Sequence, residues 1–248
     1  MASSAKVRQQ KQEQARKRWK KRQEKRPILP DYERIEYMPS PGVDGPVEKL
    51  TLDILFEPIP DPLYDALPRK WQNRLDPICL EPHEDLAAHI DLLKEATDAV
   101  PHVPRLWNML GNAYMQRGRA YEAGEVFAET IERFPDYLFG HLSYAGWLIQ
   151  QGQIDVVVDA LGGDFDLGRM LGGRRKVHVS ELIAYHAIEI QYHLALGDVT
   201  LAAMSMDFLE QLDVEHPTVI GLRQLMTQSM LAQATPYKKG LLSRLWGR

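Results

Sequence analysis

The chain has 248 residues, of which 44% are hydrophobic and 26% charged, with a net formal charge of −4. That balance leaves enough apolar surface for a buried core and excludes wholesale disorder. The one cysteine, Cys79, excludes an intrachain disulfide and a cysteine zinc cage, so a reducing, cytoplasmic setting is expected. There is no run of about 18 apolar residues, so no transmembrane helix is expected, and the basic N-terminus lacks the apolar stretch of a secretory signal.

Charge is unevenly placed. Residues 6–26 hold eleven basic and two acidic residues, a net +9 that leaves −13 on the remainder of the chain. Apart from Val7, Ala15 and Trp19 this stretch has almost nothing to bury, so residues 1–26 read as a disordered basic tail or a helix induced by a partner. Such a tail meets a polyanion or folds back on the acidic body. Arg16, Lys17, Arg18, Trp19, Lys20, Lys21 and Arg22 are the candidate polyanion contacts. The cations neutralise phosphates, and Trp19 stacks on a base or rests at a lipid surface. A merely solubilising or targeting tail stays open.

Residues 27–82 hold eleven of the sixteen prolines and read as a proline-rich connector packing on the body. Pro58, Pro60 and Pro62 forbid a helix locally. Within Lys49–Phe56, the residues Leu50, Leu52, Ile54 and Phe56 alternate with Thr51 and Asp53, which predicts a short strand. No partner strand is identifiable, so it is expected to pack along the helices. A short helix is expected at Arg69–Leu75, anchored by Trp71.

From residue 83 to 234 the helical period takes over. Leu86, Ile90, Leu93 and Ala96 share a face, and Pro101 ends that helix. Then Trp107, Leu110, Gly111, Tyr114, Gly118, Ala123, Phe127 and Pro135 follow in order. Trp107, Leu110 and Tyr114 form one stripe, Gly111 and Ala123 are small where two helices cross, and Gly118 suits a helix end. Phe127 fills the gap between the pair, and Pro135 closes the second helix. This order and spacing resembles the tetratricopeptide repeat. A second, partial unit runs through Tyr144, Ala145, Leu148 and Gly152 to Val157 and Leu161, with its large aromatic moved to Trp147. A third hairpin is expected over 180–215, turning at Gly197-Asp198, and a capping helix over 217–233. The resemblance implies an all-α fold, an α-solenoid of stacked hairpins with a concave groove.

In that family the first helix of each hairpin lines the groove. The resemblance therefore assigns Arg105, Asn108, Asn112, Met115 and Gln116 from one repeat, and Phe139, Leu142, Gly146, Ile149 and Gln150 from the next. Asn112 matches one position of the carboxylate clamp found in some members. Asn108 stands where lysine is expected, and Leu142, Ser143 and Gly146 break the clamp, so a mixed or apolar peptide groove is expected. Burial of Leu142 and Ile149 between helices is the competing reading.

The loop 162–176 interrupts the repeats. Its Gly168 and Gly173 have phosphate-loop spacing, but Arg174-Arg175 replaces the required Lys and Ser/Thr, so a flexible insertion or an arginine patch for acidic groups is expected. His186, Glu189 and His193 share one helix face; the two histidines lie about 10 Å apart along the axis, too far to share one ion easily. Packed histidines are the simpler reading. No nucleophile elbow or Cys–His arrangement near Cys79 occurs. No catalytic residue, metal or cofactor is assigned. The expected function is a non-enzymatic adaptor or scaffold binding a protein or peptide. The alternative is a nucleic-acid- or ribosome-associated factor anchored by its basic tail. Residues 235–248, basic and leucine-rich, suit a partner groove or weak binding to an anionic membrane surface; a simple capping segment is an equally good reading.

Overall fold

The computed structural model describes residues 34–37, 50–56, 61–79 and 85–234. The tail 1–26, with Arg16 to Arg22, and the segment 235–248 lie outside them. The described residues are mostly helical, and their parts fall into two compact units. One is drawn from residues 1–36, 51–144 and 175–178, the other from 37–50, 145–174 and 179–248. No helix among the described residues is long and apolar enough to cross a membrane.

A three-stranded sheet, which falls in the first unit except for Tyr37 and Leu50, has the order β1 (Arg34–Tyr37), β2 (Leu50–Leu55), β3 (Lys176–His178). The alternation in β2 buries Leu52 and Ile54 while Thr51 is exposed. The expectation that this strand lacks a partner is corrected. It pairs in parallel with β3, with Ile54 opposite Val177, and Asp53 donates its N–H to the Arg175 carbonyl at 2.8 Å. Lys176–His178 offers a single buried apolar residue, too little for a period of two to be visible.

Next come α1 (Pro62–Asp65) and α2 (Arg69–Cys79). Asp61 caps α1 by accepting from the Tyr64 N–H at 3.1 Å. The helix expected at Arg69–Leu75 runs one turn further, to Cys79, and buries Trp71, Leu75 and Ile78. A 3-10 turn (Leu86–His89) opens α3 (Ile90–Ala99), which buries Ile90, Leu93 and Ala96.

The helices α4 (Pro104–Gln116) and α5 (Ala120–Arg133) form the hairpin that the repeat pattern predicts. Gly118 turns the chain at φ 75°, a conformation that glycine adopts without steric cost. At Gly111, an added Cβ would lie 2.3 Å from the Phe127 ring, so only glycine admits this crossing. Arginines cover two aromatics of this hairpin. Arg133 lies 4.7 Å over Trp107, whose indole N–H donates to the Pro101 carbonyl at 3.0 Å, and Arg119 lies 4.6 Å over Tyr114. The next helix, α6 (Leu138–Gln150), starts in this unit; the unit boundary falls within it.

In the second unit, α6 is followed by a 3-10 turn (Ile154–Val156) and the single-turn helix α7 (Val157–Ala160). Val157 and Leu161 are buried, as a second arm requires. That arm stops after one α-helical turn because Gly162 and Gly163 take φ 89° and 110°. The loop that follows is not the flexible insertion expected. It contains α8 (Leu167–Met170) and buries Phe165, Leu167 and Leu171. The Arg169 guanidinium donates to the Gly162 carbonyl and pairs with Asp164. Then α9 (Val179–Leu196), α10 (Val199–Asp213) and α11 (Pro217–Ala234) pack together. Asp198 caps α10 through the Leu201 N–H at 3.1 Å, and Ala202 and Met206 are buried as the third hairpin expects.

Candidate functional site

On α4, Trp107, Gly111 and Tyr114 face α5, and the 3.6-residue turn sets Arg105, Met109, Asn112 and Gln116 on the opposite side. That side already carries segments of the same chain. The Arg105 guanidinium donates to the Cys79 carbonyl at 2.7 Å and lies 5.3 Å over the Tyr64 ring. The Cys79 thiol reaches the Met109 sulfur at 3.6 Å, and the Gln116 carbonyl oxygen accepts from the Ala87 N–H at 3.2 Å. Burial pushes the Cys79 thiol above its ordinary value against the opposing charge of Arg105, so it is a packed group rather than an activated nucleophile.

Asn108 and Asn112 are tied along the helix, Asn112 donating its amide to the Asn108 backbone carbonyl at 2.8 Å. Asn112 and Met115 are half-buried, and Gln116 is exposed. From the next helix, Phe139 is half-buried with its ring tilted against that of Tyr137 at 6.1 Å, while Leu142 is buried in the core. Ile149 and Gln150 belong to the second unit, where Ile149 is half-buried and Gln150 exposed. Gly146 lies in the same unit, 3.0 Å from Ile188 if given a Cβ. Tyr64, Cys79 and Met109 were not foreseen; only their apolar character hinted at packing.

The second unit holds a buried polar cluster. Glu189, fully buried, accepts on one carboxylate oxygen from the Ser205 hydroxyl at 2.6 Å, and that oxygen lies 2.8 Å from His186 Nδ1. The serine is thus bonded to the acid and not to the imidazole, which is the wrong order for an activated serine nucleophile. His186 packs between Tyr37 and Phe208, at 5.6 and 4.6 Å between ring centroids. Tyr185 donates its hydroxyl to the Phe165 carbonyl at 2.6 Å. Burial holds the Tyr37 and Tyr185 phenols far above their ordinary range. Nothing in the sequence pointed to Ser205, sixteen residues from Glu189 on the next helix.

His193 sits one turn beyond Glu189, stacked on Phe165 at 6.1 Å. Among the described residues no group of three or more His, Cys, Asp or Glu side chains is placed to hold a metal ion. Burial lowers the His193 imidazole below its ordinary value, against the raising charges of Glu189 and Asp198. A lowered folded-state value means that the unfolded chain binds the proton better, so stability falls as the pH drops through the ordinary imidazole range. Denaturant melts between neutral and mildly acidic pH should show that loss, and His193→Gln should reduce it.

Arg174 of the glycine loop donates to Glu181 at 2.8 Å, so its charge is spent within the chain. No family model, curated protein or solved structure matches this chain.

Proposed function

We propose that this protein is a non-enzymatic cytoplasmic adaptor, built on tetratricopeptide-like hairpins, that binds a protein or peptide along the first-helix face of α4. The observation that carries this reading is the α4–α5 hairpin. Its Gly111–Phe127 crossing, Gly118 turn and Trp107–Tyr114 stripe combine features that a generic amphipathic hairpin has no reason to combine. Asn112 and Met115 are the positions on that helix left to read a partner, since Gln116 already accepts from the Ala87 N–H. Arg105 would first have to leave the Cys79 carbonyl.

The test is capture of a partner by the full chain after nuclease treatment, with the partner identified by mass spectrometry and then titrated as pure protein. Replacing Asn112 by Asp and Met115 by Glu together should weaken binding by about tenfold or more, the loss of one good contact. Changing exposed Tyr121 on α5 to Ala should leave it unaltered. Equal binding by all three chains removes the α4 face from the reading.

The +9 of residues 6–26 supports a second reading, association with nucleic acid or the ribosome. Replacing the six basic residues within 16–22 by Gln in the full chain should then weaken RNA binding strongly and flatten the salt dependence of what remains. Salt-independent binding would refute it.

A further inference from the structure

The hairpin of α4 and α5 has a forerunner in the first unit. On α2, Trp71, Leu75 and Ile78 are buried at the same i, i+4, i+7 spacing as Trp107, Gly111 and Tyr114 on α4. The 3-10 turn with α3 covers residues 86–99, and α5 covers 120–133, a displacement of 34 residues. Leu93, fully buried, and Pro101 stand at that same distance before Phe127 and Pro135. By this repetition α2 is the first helix of an earlier hairpin, as α4 is of the next. One residue on from its buried stripe, α2 carries Gln72, Asp76 and Cys79. They correspond to Asn108, Asn112 and Met115 of α4.

On α2 that stripe is already occupied. Tyr64 of α1 is 2% exposed, and its hydroxyl donates to Asp76 at 3.0 Å. Burial holds the phenol far above its ordinary range, so it stays a donor. The Gln72 amide donates to the Asp65 carbonyl at 2.8 Å. From α4, Arg105 lies 5.3 Å over the Tyr64 ring while it donates to the Cys79 carbonyl. The turn around Tyr64 satisfies its own backbone. Asp65 donates to the Asp61 carbonyl at 2.7 Å, Ala66 to Pro62 at 3.0 Å and Leu67 to Tyr64 at 3.1 Å, and the Asp61 carboxylate accepts from the Tyr64 N–H. It is a self-closed turn that presents one aromatic side chain, and lifting it out breaks none of these internal bonds.

We propose that residues 61–67 are a built-in ligand of the first-helix face, and that the partner peptide displacing them carries a tyrosine on a helical turn. Its hydroxyl would take the Asp76 carboxylate and its ring the place beneath Arg105. The inference rests on the adaptor reading, and it names the class of peptide bound and the device that holds the face closed. Asp76 selects a hydroxyl over phenylalanine, which would leave a carboxylate without that donor. It also rejects phosphotyrosine, whose charge it would oppose. Arg105 selects an aromatic ring over an aliphatic side chain. Three residues join α1 to α2, so the turn faces its site at an effective concentration of about millimolar or above. A free peptide competes well only where the turn is weakened.

The probe is a fluorescein-labelled, amidated peptide with the sequence of residues 61–68, titrated into the full chain by anisotropy. Tyr64→Ala with Leu67→Ala in the chain should bind it about tenfold or more tighter than the parent does. The same peptide with alanine or phosphotyrosine in place of its tyrosine should bind neither chain. Hydrogen exchange on the parent reads the turn with no variant. The Asp65, Ala66 and Leu67 amides should exchange through an opening that leaves α2 and α4 protected. Tyr64→Phe, which keeps the ring and deletes the bond to Asp76, should speed that exchange severalfold. Absence of peptide binding to a double variant that circular dichroism shows to be folded overturns the proposal. So does equal binding of the tyrosine and alanine peptides, or exchange of the turn only together with α2 and α4. A captured partner without peptide binding removes this inference and leaves the adaptor reading; peptide binding without a captured partner keeps the site and removes that reading.

Discussion

Replacing Gly111 by valine should destabilise the first unit by about 3 kcal/mol, and replacing it by alanine by about 1–2 kcal/mol. An alanine Cβ at this site would stand 2.3 Å from Phe127 Cε1, 2.6 Å from Cδ1 and 2.8 Å from Cζ. Those atoms belong to a ring that is itself 1% exposed, in an interior that is close-packed as a rule. Alanine favours the helix over glycine by roughly 1 kcal/mol, so overpacking must exceed that gain for the sign to be destabilising; a three-atom clash with a buried ring meets the condition. The check is a double-mutant cycle by denaturant unfolding. Phe127→Leu removes the ring, so Gly111→Ala should cost less in that background, with a coupling of about 1 kcal/mol or more. An alanine variant more stable than the parent would show that the two helices are free to move apart.

Glu189→Ala should cost about 2–4 kcal/mol in the second unit, because two buried groups lose the acceptor they share and each such loss costs about 1–3 kcal/mol. The carboxylate is fully buried and gathers the Ser205 hydroxyl and His186 Nδ1 on a single oxygen. Without it, both groups remain in a dry interior and lose an acceptor that water cannot replace. Glu189→Gln keeps an oxygen for one of them and should cost less. Ser205→Ala, which deletes a donor and leaves the carboxylate its imidazole, should cost about 1 kcal/mol. A loss below about 1 kcal/mol for Glu189→Ala would mean that water enters the cluster.

The parts of this fold that were legible in the sequence are those whose reasons are local. Gly111, Gly118 and Phe127 announce a close helix crossing because each meets a steric demand at a fixed distance along the chain. Leu52 and Ile54 announce a strand because a pleat alternates. Two things stayed hidden. Val177 is one buried residue between Lys176 and His178, and a strand that short has no period. The partial second hairpin kept its pattern through Val157 and Leu161, but Gly162 and Gly163 cut its second arm to a single α-helical turn. The candidate sites divide in the same way. The α4 positions from Arg105 to Gln116 follow from helical spacing and the family resemblance. That the Cys79 carbonyl and the Ala87 N–H lie on two of them depends on how separate segments pack, as does the pairing of Ser205 with Glu189. A one-dimensional pattern carries no record of how one helix is rotated against the next.

The pairing of β2 with β3 bears on how the chain is made. Asp53 and Lys176 are partners in the register, yet more than a hundred residues are synthesised between them. At the usual pace of a ribosome, β2 waits on the order of ten seconds for its partner to emerge. Throughout that interval its hydrogen-bonding edge on that side is open to whatever other strand is at hand. The helical hairpins between them, whose contacts are local, have time to form first. The sheet is thus the late-closing seam of the first unit, and the step in biogenesis most exposed to mispairing and to a passing chaperone.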